Sequence, residues 1–100
     1  MNSLKILNRA TGKAVSGSMT QQFRDLCKFL VDFAQKHGAM SYDDCVALAL
    51  GAFGGHAHAE FLVATAYDAA EERMHAKRWY ERSARHGFTP AMVQLQYVCR

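Results

Sequence analysis

One hundred residues limit the chain to one domain with a modest core. Half of the residues are hydrophobic, one is proline and alanine is abundant, which excludes long disordered segments and favours helix over strand. The net charge of +3 is unevenly spread. Residues 1–36 hold six Lys/Arg against two Asp/Glu, residues 37–72 none against six, and residues 73–100 six against one, so the acidic middle weakens any general case for polyanion binding.

Residues 1–18 mix Leu4, Ile6 and Leu7 with Lys5, Asn8, Arg9, Gly12 and Lys13, and end in the turn-like Ser16-Gly17-Ser18. They are expected to form a flexible arm or one short strand. The apolar patch is too short for a signal peptide and nothing reaches membrane-spanning length. Cys27, Cys45 and Cys99 are odd in number and widely spaced, unlike a disulfide framework. A cytoplasmic location, with no membrane partner, is the expectation.

From Thr20, an expected N-cap, Phe23, Leu26, Cys27, Leu30, Phe33 and Ala34 recur at three- and four-residue steps and predict a helix. Lys36 and His37 complement its carboxyl end, and Gly38 is placed for a left-handed cap. Ser41 and Asp44 supply the Ser-x-x-Asp start of a second helix, with Asp43 and Asp44 in its first turn. That helix is apolar nearly all round, which predicts burial between neighbours, and Gly54 and Gly55 stop it.

A third helix is expected over 57–68, with Ala59, Leu62, Val63, Ala66 and Tyr67 inward, and a fourth over 72–86, with Ala76, Trp79, Tyr80, Ser83 and Ala84 inward. The link between them lacks Gly and Pro, so one bent helix is the alternative. Gly87 ends the fourth helix and Thr89-Pro90 opens a fifth in N-cap and first-turn order. From Ala91 to Cys99 only Gln94 and Gln96 interrupt the apolar run. One side of this helix can rest on the third and fourth helices; no sequence remains to cover the other. A second copy, giving a homodimer, or a target protein is expected there.

Gly55-His56 with Ala59 and a closing Tyr67, then AKRWYERSARHG over 76–87, resembles the Sel-one-like repeat family, short helix-turn-helix units related to tetratricopeptide repeats. The glycine and alanine return as Gly87 and Ala91. The resemblance implies an all-α, short right-handed stack of antiparallel helix pairs, about five helices or two and a half repeats, over residues 19–100. It also implies a protein-protein interaction module without cofactor or reaction. In such stacks the first helix of each pair lines the concave face, which here carries His58, Phe61, Thr65 and Asp68, with Val93 and Tyr97 at equivalent places. The plainer alternative is that Phe61 and Val93 pack on a neighbouring helix.

Two other chemistries have residues in the sequence to support them. Arg73, Lys77, Arg78, Arg82 and Arg85 form a basic stripe beside Trp79 and Tyr80, and such a stripe would meet phosphates while the aromatics stack on bases. Glu81, four residues from both Lys77 and Arg85, favours local ion pairs and a solvated face instead. A nucleic-acid-binding module is therefore the alternative function, and a small inhibitor-type binder of another protein a further one. His56-x-His58 with Cys45 is a poor metal set, because residues two apart on a helix diverge; no metal is expected. Without a nucleophile motif, a phosphate loop or a carboxylate pair outside a helix start, no catalytic residue is expected.

Overall fold

A computed structural model describes residues 17–38 and 40–98, and among them the fold is all-α. Five helices follow in order: α1 (Gly17–His37), α2 (Tyr42–Phe53), α3 (Ala57–Ala69), α4 (Arg73–Arg85) and α5 (Thr89–Val98). The described residues fall into two compact units that divide between Ala47 and Leu48, inside α2. The arm expected over 1–18 lies outside the described residues except for Gly17 and Ser18, which are already helical. Thr20 is accordingly inside α1 rather than its N-cap.

In the first unit, the apolar stripe of α1 is buried at Phe23, Leu26, Cys27, Leu30 and Ala34. Lys36 and His37 occupy its last turn, and Gly38 at φ 63° accepts the left-handed conformation that a Cβ would strain. The start of α2 follows its sequence signal, since Ser41 Oγ accepts the backbone N–H of Asp44 at 3.1 Å. Cys45 and Val46 are buried behind it. Among the described residues both Cys27 and Cys45 are free thiols. Burial, reinforced by the nearby Cys45, pushes the Cys27 thiol up to about 11. Burial first, then the Asp44 charge, raises Cys45 as well, opposed by a hydrogen bond to its own backbone.

In the second unit, α3 packs on α4 and α4 on α5. The end of α2 comes very close to α3: a Cβ placed on Gly51 would lie 2.9 Å from Ala59 Cβ. α2 is less enclosed than its composition suggests, because Ala49 and Ala52 are buried while Leu48, Leu50 and Phe53 are only half-buried. α3 buries Glu60, Val63, Ala64, Ala66 and Tyr67. Leu62, expected inward, is 41% exposed, because the buried stripe runs along the 60/63/64/67 side.

Three turns of this unit end in the same cap. After α2, His56 N–H donates to Gly51 O and Gly55 N–H to Ala52 O, with Gly55 at φ 85°. After α4, Phe88 N–H donates to Ser83 O and Gly87 N–H to Ala84 O, with Gly87 at φ 92°. After α3, Glu72 N–H donates to Tyr67 O and Glu71 N–H to Asp68 O, and the left-handed residue is Glu71 at φ 62°. This paired 6→1 and 5→2 pattern is the Schellman motif, in which a left-handed residue satisfies the last carbonyls of a helix. It separates α3 from α4 and rules out one bent helix; a glutamate holds the place that glycine holds in the other two.

Candidate functional site

Two polar contacts fasten α3 to α4. Ser83 Oγ donates to Ala57 O at 2.7 Å, which explains why a small hydroxyl residue stands at a fully buried position. Glu60, 1% exposed, brings Oε1 to 2.7 Å from Nδ1 of His86, the C-cap residue of α4. The ring of His86 is half exposed, so water reaches the imidazole side of the pair while the Glu60 side chain is sealed. Apolar periodicity gave no hint of a buried Glu60. The available signal was His86 beside Gly87, a residue at a helix end that could receive a carboxylate from the previous helix.

The side chains inferred for a concave binding face are largely occupied within the molecule. Phe61 lies between two rings, with centroids 5.6 Å from Tyr80 and 5.1 Å from Phe88. His58 stacks on Phe88 at 5.3 Å and is exposed on its other side. Thr65 Oγ1 donates to Leu62 O, and Asp68 Oδ2 accepts the Tyr80 hydroxyl at 3.4 Å. Burial, then the Asp68 charge and this hydrogen bond, push Tyr80 up to about 12. His58, Phe61, Thr65 and Asp68 therefore share one side of α3, but Phe61 is packing, as the plainer alternative had it.

Val93 and Tyr97 differ from them. On α5, Ala91 is fully buried, whereas Met92, Val93 and Tyr97 are 46%, 46% and 61% exposed. With the exposed Thr89 and Gln96 they fall at positions 89, 92, 93, 96 and 97, the spacing of one helical face. No residue from Thr89 to Val98 is charged. Large exposed apolar side chains gathered on one uncharged stripe are what marks a contact surface, while scattered ones do not.

The basic stripe of α4 is in place, but one of its two aromatics is buried. Arg73, Lys77, Arg78, Arg82 and Arg85 are all exposed. None forms an ion pair among the described residues, and the pairs expected from Glu81 to Lys77 and Arg85 are not made. Tyr80 is 1% exposed, and Trp79 has Phe53 at 6.0 Å and the Arg82 guanidinium 4.8 Å over its ring. Tyr80 is thus sealed from a base, while Trp79 is half-buried with Arg82 over its ring.

No group of three His, Cys, Asp or Glu side chains suited to a metal ion occurs among the described residues, and no single helix there is long and apolar enough to cross a membrane. The chain matches no family model, no curated protein and no solved structure.

Proposed function

We propose that the protein is a helical-repeat interaction module that binds another protein through the outer face of α5. The observation that carries this is the half-exposed Met92, Val93 and Tyr97 on a helix without a charge, next to a fully buried Ala91. Apolar area held out of water by a partner is the driving force of most association, and aromatic and methionine side chains are enriched in the centres of interfaces. His58, exposed at the edge of the Phe61 and Phe88 cluster, supplies a polar contact on α3 at most. The resemblance to Sel-one-like repeats points the same way, toward an adaptor without cofactor or reaction.

Phosphate contact through α4 is the weaker alternative. Its charges form no ion pair among the described residues, but with Tyr80 buried and Arg82 lying over Trp79 the contact would be chiefly electrostatic, and that is screened by salt. An inhibitor-type role would use the same α5 face and differs only in what the partner does.

Immobilised protein exposed to extract from its source tests the proposal, with Val93→Glu and Tyr97→Glu as paired baits and the double reversal Arg78→Glu/Arg82→Glu as a third. Proteins held by the wild type and by the double reversal, but lost from both α5 variants, are the expected result. Retention that follows the α4 charges and ignores α5 transfers the function to the basic stripe.

A further inference from the structure

The second unit repeats itself with an offset of 32 residues. α3 begins at Ala57 and α5 at Thr89, and each is preceded by a left-handed glycine, Gly55 or Gly87. In that register Ala59 corresponds to Ala91, Glu60 to Met92 and Ala64 to Gln96. Glu60 and Ala64 are among the most buried residues of α3, one turn apart on the same side, and Glu60 meets His86 at the end of α4. Their counterparts Met92 and Gln96 are exposed. The open face of α5 is thus the face that, on α3, a neighbouring helix covers.

The residues also say what kind of helix fits. On α3 the slot holds a carboxylate that needs a histidine; on α5 it holds the thioether of Met92, which needs an apolar neighbour. The polar side chains along the face, Thr89 and Gln96, each both donate and accept hydrogen bonds. A surface with no charge and only two-way polar groups is complementary to itself, which is what a two-fold contact requires. We propose that α5 of a second copy lies antiparallel across α5, in the place α4 takes on α3, with the two helix dipoles opposed. This rests on the reading of α5 as a binding face and names its partner. Ten residues make a helix only about 15 Å long, so the contact is small and the dimer belongs among weak, reversible ones.

Sedimentation equilibrium of the purified full chain, from micromolar to near-millimolar concentration, tests it. The wild type is expected to pass from monomer to dimer within that range. Met92→Glu and Gln96→Arg should each raise the dissociation constant at least tenfold with helical circular dichroism unchanged, while Met74→Glu, at a 72% exposed site on α4, should leave it unaltered. A wild type that stays monomeric throughout overturns the second copy as partner, and so does a dimer indifferent to both α5 variants. Neither result touches capture of a different protein by α5, which the immobilised-bait experiment decides separately.

Discussion

Glu60 and His86 lie 26 residues apart in sequence and 2.7 Å apart in space, joining the first turn of α3 to the cap of α4. Replacing His86 by Leu leaves a sealed carboxylate without its partner, at an expected cost of about 2 kcal/mol. Glu60→Met, which copies the residue at the corresponding place in α5, should cost less, since an apolar side chain leaves nothing unpaired. Urea midpoints of the two variants provide the comparison; equal losses would mean that the pair contributes only its packing.

Glu71 should give a gain. At φ 62° it holds a left-handed conformation that costs a residue with a Cβ about 1 kcal/mol and costs glycine almost nothing. Glu71→Gly is therefore expected to stabilise the fold by up to about 1 kcal/mol, less the larger chain entropy that glycine brings to the unfolded state. The check is the melting temperature, which should rise by a few degrees.

Gly51 should give a loss, although it sits inside a helix where alanine is intrinsically favoured by about 1 kcal/mol. A Cβ there meets the Ala59 methyl at 2.9 Å, and neither group can rotate away. Gly51→Ala is expected to destabilise by about 1–3 kcal/mol, in the range of other overpacked cores. Adding Ala59→Gly should recover part of that loss, and chemical denaturation of the single and double variants would show it.

Alkaline pH should weaken the fold through Tyr80. Its hydroxyl titrates at about 12 in the folded chain against 10 when free, because burial, then Asp68, disfavour the phenolate. The unfolded chain therefore releases the proton first. The stability contributed is complete below pH 10 and is lost as pH rises through 12, a decline of about 2–3 kcal/mol. Cys27, raised from 9 to about 11, adds a loss of the same sign from a lower pH. In Tyr80→Phe the part between pH 10 and 12 should vanish, as followed by urea melts across that interval.

The thiols supply a final expectation. Cys27 and Cys45 are both buried and both held toward the protonated form, so a thiol-directed reagent at neutral pH should modify them only after unfolding. Rapid labelling of either in the native protein, located by mass spectrometry, would contradict their placement.

Helix number, order and most boundaries could be read directly because they rest on local physics. Ser41 caps α2, Gly38, Gly55 and Gly87 take left-handed angles, and the stripe from Phe23 to Ala34 needs no distant partner to be recognised. The end of α3 at a left-handed glutamate was beyond such reading, since no residue type announces it. The inward placement of Leu62 failed for a related reason: α3 is apolar on several sides, and only the position of α4 decides which side is covered.

The amino-acid order by itself determined an all-α chain, the glycine-and-alanine recurrence from residue 55 to residue 87, and a last helix without charge, because each is a matter of residue type and spacing along the chain. Tertiary structure alone decided that Glu60 is buried on His86, that Phe61 belongs to the packing, that Tyr80 is sealed, and that Met92 joins the exposed face of α5. Burial is a property of what lies opposite a side chain, and what lies opposite is chosen by the packing of separate helices.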